Sequence, residues 1–104
     1  MPEYKVATLD EVPLDGARAV KVDGRQIGLF NVGGELFAID DACPHMRADL
    51  SCGVVRKKTV LCGWHGWQFD LTTGQCVGGQ GVDRGATVRV YPVRVVDGRV
   101  NLER

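Results

Sequence analysis

Apolar and polar residues alternate along much of this chain, and a period of two predicts β-strands rather than helices. Glycine-containing dipeptides separate the alternating runs, and such dipeptides are typical of two-residue hairpin loops because type I′ turns need positive φ. The three clearest turns are Asp23-Gly24, Gly33-Gly34 and Asp97-Gly98. The runs around them predict strands over 17–22, 27–32, 36–39, 93–96 and 99–102. The sequence therefore predicts an all-β, antiparallel domain.

Length and charge narrow the classes of function. A chain of 104 residues with 44% hydrophobic residues suits one domain with a modest core. Thirteen basic residues balance thirteen acidic ones, and no long basic run occurs, so we expect no nucleic-acid partner. No segment approaches the ~20 apolar residues of a membrane span, and no export signal is evident, so we expect a cytoplasmic location away from the membrane. The stretch 9–12 before Pro13 predicts one helical turn at most.

The residues that can carry chemistry are concentrated in the middle of the chain. All four cysteines, both histidines and both tryptophans lie between Asp40 and about Val77. We therefore predict a single domain over 1–104, in which a subdomain over 40–77 is inserted into a β base formed by 1–39 and 78–104.

Two short motifs offer metal ligands. Cys43-Pro44-His45 is followed, after sixteen intervening residues, by Cys62-Gly63-Trp64-His65. Turn residues bound both motifs, so two loops, each with one thiolate and one imidazole, can clamp one metal centre between them. Zinc fingers usually place two cysteines in one half and two histidines in the other, an order that this chain does not follow. Zinc or another mononuclear metal is the alternative.

The order and spacing of these ligands resemble the Rieske family. The flanking residues match as well, with Cys-Pro-His in the first loop and Cys-Gly-Trp-His-Gly-Trp-Gln-Phe-Asp, then Thr-Gly, from the second loop onward. The resemblance implies a β-sandwich or barrel base that carries an inserted cluster-binding subdomain. It also implies one [2Fe–2S] cluster, with Cys43 and Cys62 on one iron and His45 and His65 on the other.

The residues beside these ligands indicate a low reduction potential. In respiratory members of the family, Ser and Tyr hydroxyls donate hydrogen bonds to the sulfurs and raise the potential. Trp67 and Phe69 stand at those positions here, and Trp64 replaces the extra cysteine of the respiratory inter-loop disulfide. We expect a potential toward about −150 mV, the lower end of the Rieske range. The positive charge of Arg47 would raise the value somewhat.

The resemblance implies an electron carrier rather than an enzyme. No nucleotide or phosphate motif occurs, and no histidine is left for a second iron site, so we expect no small-molecule substrate. We expect a soluble ferredoxin that takes single electrons from a flavin-dependent reductase to a terminal oxygenase. One alternative is a small subunit of a reductase complex, similar to that of nitrite reductases. Another is a structural or redox-sensing metal module, with Cys52 and Cys76 as its oxidisable pair.

Several residues also have a purely structural interpretation. Cys52, in a strand-like stretch, and Cys76, after a hairpin turn, are each consistent with a core thiol. Met46 and the two tryptophans would shield the cluster from water or form an apolar docking rim. The basic run 56–58 is typical of a solvated turn, with partner docking as the alternative.

Overall fold

The computed structural model describes residues 3–42, 49–62, 67–79 and 86–103. Two single-turn 3-10 helices, Leu9–Glu11 and Leu50–Cys52, accompany the strands. The strands in chain order are β1 (Glu3–Thr8), β2 (Ala17–Val22), β3 (Arg25–Val32), β4 (Glu35–Asp40), β5 (Val54–Arg56), β6 (Thr59–Leu61), β7 (Gln68–Asp70), β8 (Cys76–Gly78), β9 (Val90–Tyr91), β10 (Val93–Val96) and β11 (Arg99–Glu103).

The strands form three antiparallel sheets. Two sheets, β2-β3-β4-β9 and β1-β11-β10, bring the two ends of the chain together. The third sheet, β5-β6-β7-β8, is built wholly from the middle of the chain. Every pairing is antiparallel, and the described residues contain no α-helix, so the predicted all-β class is confirmed.

The three expected hairpin turns are confirmed by their backbone angles. The φ values are 51° and 79° at Asp23-Gly24, 60° and 98° at Gly33-Gly34, and 51° and 75° at Asp97-Gly98. Positive φ at both central residues is the requirement of a type I′ loop, whose twist matches that of the flanking strands. The single helical turn before Pro13 is also present, as Leu9–Glu11.

Two physical causes explain the strands that the alternation did not predict. Strands β5 to β9 are two or three residues long, too short to display a period. Strand β1 is longer, but its register against β11 shifts between Lys5 and Ala7, and this irregularity interrupts the alternation of its side chains.

Two hydrophobic cores meet at β3. Leu29 belongs to a core formed largely by the two terminal sheets, and Phe30 belongs to a core shared with the third sheet. Both side chains are fully buried, because β3 is covered on both faces. The third sheet is thereby fixed to the base through Phe30 and Ile39 on one side and Phe69 and its neighbours on the other.

The two remaining cysteines differ in environment. Cys76 is fully buried, as a core thiol would be. The interpretation of Cys52 as part of a strand and of the core is wrong, because it ends the 3-10 turn Leu50–Cys52 and is exposed. Leu50 occupies the buried position of that turn instead. The two thiols are not joined in a disulfide.

Candidate metal centre

The second loop, residues 63–66, connects the paired strands β6 and β7. Strands β6 and β7 pair up to Leu61 and Gln68, and the Cys62 N–H then donates to the Trp67 carbonyl over 2.7 Å. Only four residues remain between Cys62 and Trp67, so backbone pairing alone fixes both ends of the loop. Cys62 is 1% exposed at the base of this loop.

The first loop, residues 42–50, is closed by a side chain. Asp41 precedes the loop and is 2% exposed. Its Oδ1 accepts from the Ser51 N–H, and its Oδ2 accepts from the Ser51 hydroxyl, each over 2.6 Å. Oδ2 also accepts from Nε2 of Gln26 over 2.7 Å. One carboxylate therefore holds the residues on both sides of the loop and connects them to β3.

The described ends of the two loops lie in one packed core. Leu50 at the end of the first loop shares a core cluster with Cys62 and Trp67 at the ends of the second. A Rieske centre needs two loops side by side and thiolates withdrawn from water, and Cys62, the expected thiolate ligand among the described residues, is buried. The residues present at this end of the molecule therefore fit an iron–sulfur cluster.

Three of the four expected ligands, Cys43, His45 and His65, lie outside the described residues. So do Met46, Arg47 and Trp64, whose expected roles stay predictions. Within the described ranges, no group of three or more His, Cys, Asp or Glu side chains converges as a metal site. Cys62 is the one expected ligand among the described residues.

The two positions that lack hydroxyls are buried beside Cys62. Trp67 is 5% exposed and Phe69 is fully buried, and their ring centroids are 6.4 Å apart at an interplanar angle of 44°. Both rings belong to the core around Cys62. They exclude water without offering the hydroxyl donors that raise the potential of respiratory Rieske centres.

A third segment packs against the turn between β7 and β8. The turn after β7 brings Gly74, with φ of 77°, against the backbone of Val88. The Val88 N–H donates to the Gly74 carbonyl over 2.8 Å, and the Cys76 N–H donates to the Ala86 carbonyl over 3.0 Å. The glycine-rich stretch between these contacts, residues 80–85, lies outside the described residues.

A network of charged residues borders the first loop. The Tyr91 hydroxyl donates to Oδ1 of Asp40 over 2.5 Å, and Arg25 pairs with Oδ2 of Asp40 over 3.4 Å. Burial, followed by the hydrogen bond to Asp40, raises the pKa of Tyr91 above its ordinary value. The guanidinium of Arg89 lies 4.9 Å from the centroid of the Tyr91 ring. Charges of both signs line the adjoining open cleft of about 450 Å³, which is not typical of a pocket for an apolar substrate.

The basic run lies at the other end of the third sheet. Arg56 pairs with Thr59 at the turn of the β5–β6 hairpin, whereas Leu61, beside Cys62, pairs with Val54 at the opposite end. These ends are two residue steps, or roughly 7 Å, apart along the strands. The interpretation as an exposed turn is confirmed, because residues 56–58 are all exposed. A docking role at the cluster would need a contact surface that extends this far.

Sequence reasoning missed the role of Asp41. In the sequence, the pair Asp40-Asp41 indicates only a turn, yet the two carboxylates have different partners. Asp40 binds Tyr91 and Arg25, and Asp41 binds Gln26 and Ser51.

No helix in the described part of the chain has the length and apolar character of a membrane span.

Comparison with known proteins links this geometry to one family. The model of the Rieske [2Fe-2S] domain matches residues 2–92. The ferredoxin component of the naphthalene 1,2-dioxygenase/salicylate 5-hydroxylase systems of Ralstonia sp is 33% identical over 97 residues, which cover 93% of this chain and 90% of that protein. The 3-phenylpropionate/cinnamic acid dioxygenase ferredoxin subunit of Photorhabdus laumondii is 38% identical over 101 residues, covering 96% and 92%.

A solved structure agrees with these relatives. It is a complex of reduced oxygenase and oxidized ferredoxin in carbazole 1,9a-dioxygenase. The match has a TM-score of 0.85 and 26% identity, and it covers 96% of this chain and 91% of the matched chain.

Proposed function

The chain belongs to the Rieske [2Fe-2S] domain family, and on that premise we propose that it is the ferredoxin component of a multicomponent oxygenase system. It is an electron carrier, and its cofactor is a Rieske-type [2Fe–2S] cluster. When bound, the cluster takes up and gives back one electron at a time. The protein supplies the ligands, the exclusion of water and the surface that partners contact.

We assign Cys43 and Cys62 to one iron of the cluster and His45 and His65 to the other. The observation that carries this assignment is the position of Cys62, buried at the base of a four-residue hairpin loop. A thiolate ligand needs such shielding, because solvent exposure and hydrogen bonds to sulfur set the potential. The C-x-H and C-x-x-H spacing supplies the other three ligands on the two loops.

The residues around Cys62 favour the low potential expected from the sequence. Trp67 and Phe69 fill the space beside the second loop with apolar rings. Fewer hydrogen bonds to the sulfurs leave the reduced, more negative centre less stabilised. We therefore keep the prediction of a value toward about −150 mV. We also keep the division into a cluster-binding segment, 40–77, seated on a base formed by 1–39 and 78–104.

A terminal oxygenase is the proposed electron acceptor and a flavin-dependent reductase the proposed donor. The names of the relatives as dioxygenase ferredoxin components support this choice. So does the structural match to a chain from a complex of oxygenase and ferredoxin. We also propose a cytoplasmic location, a compartment in which thiols such as Cys52 and Cys76 stay reduced.

The ligand assignment is tested by single replacements in the holoprotein. We expect Cys43→Ser, Cys62→Ser, His45→Ala and His65→Ala each to abolish the Rieske electron paramagnetic resonance signal of the reduced protein. Cys52→Ser is the matched control, because Cys52 is an exposed thiol near the first loop, and it should retain the full iron and sulfide content. A cluster that survives replacement of any of the four residues, or one zinc per chain in the unmodified protein, would contradict the assignment.

The partner assignment has its own test. The holoprotein is mixed with a purified flavin-dependent reductase and a terminal oxygenase of its source organism, and we expect product formation that depends on this chain. Isolation of the chain as a permanent subunit of a nitrite-reductase-type complex would favour the alternative function.

A further inference from the structure

We propose that Asp41 is a positioning residue for the cluster, which closes the first loop and anchors it to β3. The inference rests on the proposed ligand roles of Cys43 and His45, which lie in this loop. Asp41 itself is not assigned as a ligand. It positions the ligands indirectly, by fixing the backbone on either side of the loop.

The contacts of Asp41 join three separate parts of the chain. Its carboxylate accepts from the N–H and the hydroxyl of Ser51, ten residues further on, and from the side-chain amide of Gln26 on β3. Its own N–H donates to the Gln26 carbonyl over 3.0 Å. The position of residue 42, the first of the loop, and that of residue 50, the last, are therefore set from one side chain.

Burial makes these contacts obligatory rather than incidental. A carboxylate that is 2% exposed has lost nearly all of its hydration and needs donors from the protein. The three donors from Ser51 and Gln26 are neutral, and the adjacent Arg25 pairs with Asp40 instead. Removal of the carboxylate would leave half-buried donors of both Ser51 and Gln26 without their acceptor.

A glycine on β3 leaves space for the Asp41 side chain. A Cβ atom at Gly28 would lie 3.3 Å from Oδ1 of Asp41 and 2.8 Å from the ring of Phe30. Gly28 therefore leaves the space that the carboxylate and the aromatic ring share. Glutamate at position 41 would be one methylene too long for this space. Asparagine would replace one acceptor oxygen with an NH₂ group, which cannot accept from the donors of Ser51 and Gln26.

Closure of the loop reduces the number of conformations open to its nine residues. A loop whose ends are fixed presents its ligands in one arrangement before the cluster binds, whereas a loop with one free end must be ordered by the cluster itself. Partners that orient metal ligands from outside the coordination sphere typically change metal affinity by about 10-fold or more. We expect an effect of this order from Asp41.

The test compares two neighbouring carboxylates in the holoprotein. Asp41→Asn is the test variant, and Asp40→Asn is the matched control, since Asp40 binds Tyr91 and Arg25 and has no contact with Ser51. The half-life of the cluster in the presence of an iron chelator is followed by visible absorbance. We expect a half-life about tenfold shorter in Asp41→Asn and within about twofold of the unmodified protein in Asp40→Asn.

Two further readouts separate positioning from general stability. A loop that holds its ligands less uniformly should broaden the resonance signal of the reduced cluster, and loss of the nearby negative charge should raise the reduction potential. Neither change is expected from Asp40→Asn, whose charge is paired with Arg25. Equal half-lives, line widths and potentials in the two variants would overturn the proposal.

A milder variant keeps the test decisive if Asp41→Asn does not fold. Ser51→Ala removes one of the two contacts to Ser51 and leaves its N–H bond to Oδ1 in place. We expect a half-life shortened several-fold, with an unchanged midpoint of urea unfolding. An unchanged half-life would contradict the inference. Absence of a cluster signal from the unmodified protein would instead contradict the proposed function.

Discussion

The two loops that offer cluster ligands are built on different principles. The second loop connects two paired strands, and backbone pairing of Leu61 with Gln68 and of Cys62 with Trp67 fixes its ends. The first loop depends on the side chain of Asp41, which reaches across to Ser51. Backbone hydrogen bonds persist through most side-chain substitutions, whereas the hydrogen bonds of a single carboxylate are lost when that residue is replaced. We therefore expect cluster retention to be more sensitive to sequence at the first loop than at the second.

The supports of the two loops differ in the same way. The second loop rests on short strands that the turn at Gly74 and the backbone of Val88 hold in place. The first loop rests on the longer strands β3 and β4 of the base, beside the network of Asp40 and Tyr91. Perturbing one support should leave the other loop in place.

The largest stability effect is expected at Gly74. A Cβ atom there would clash with the Val88 carbonyl oxygen, and φ is already 77°. We expect Gly74→Ala to lower the free energy of unfolding by about 2–4 kcal/mol, because strain and a backbone clash add.

Gly24→Ala is the control for that substitution. Gly24 has a similar φ of 79°, but a Cβ atom added there would meet nothing within 4 Å. Gly24→Ala should lower the free energy of unfolding by about 1 kcal/mol, because only the backbone conformation is unfavourable for alanine. Urea unfolding measures both variants. Equal losses would mean that the contact with Val88 does not support the second loop.

A smaller effect is expected at the base of the first loop. Tyr91→Phe removes the hydroxyl that donates to Asp40 and should lower the free energy of unfolding by about 1.5 kcal/mol at pH 7. The half-life of the cluster should stay near that of the unmodified protein, since Asp41 keeps its partners.

The same variant has a defined pH dependence. Burial and Asp40 raise the pKa of Tyr91 in the folded protein, so its contribution is complete below the unfolded pKa of about 10 and is lost as pH rises through the folded pKa. The difference between Tyr91→Phe and the unmodified protein should therefore shrink above about pH 10. Urea midpoints at about pH 7 and about pH 10.5 measure it, and a difference that grows with pH would contradict this account.

Local chemistry explains what could be predicted from the sequence. The Asp-Gly and Gly-Gly turns need only their own residues, so the hairpins around Gly24, Gly33 and Gly98 could be placed from the sequence alone. The ligand motifs are local as well, and their spacing indicated the family. Cys62 could be assigned to a loop because the turn residues Gly63 and Gly66 follow it.

Long-range contacts explain what could not be predicted. The partners of Asp41 are 15 residues before it and 10 residues after it, and only the register of β3 against β4 brings Gln26 beside it. An aspartate pair before a cysteine motif has the same composition as an ordinary turn. The exposure of Cys52 was missed for a similar reason, because Leu50 takes the buried position of the turn at the end of the first loop.

A redox titration of the purified holoprotein at neutral pH tests the central claim most directly, with iron, sulfide and zinc counted on the same sample. The account predicts a one-electron wave toward about −150 mV, with two irons and two sulfides per chain. A strongly positive wave would contradict the role assigned to Trp67 and Phe69 beside the cluster. One zinc per chain and no wave would contradict the electron-carrier function itself.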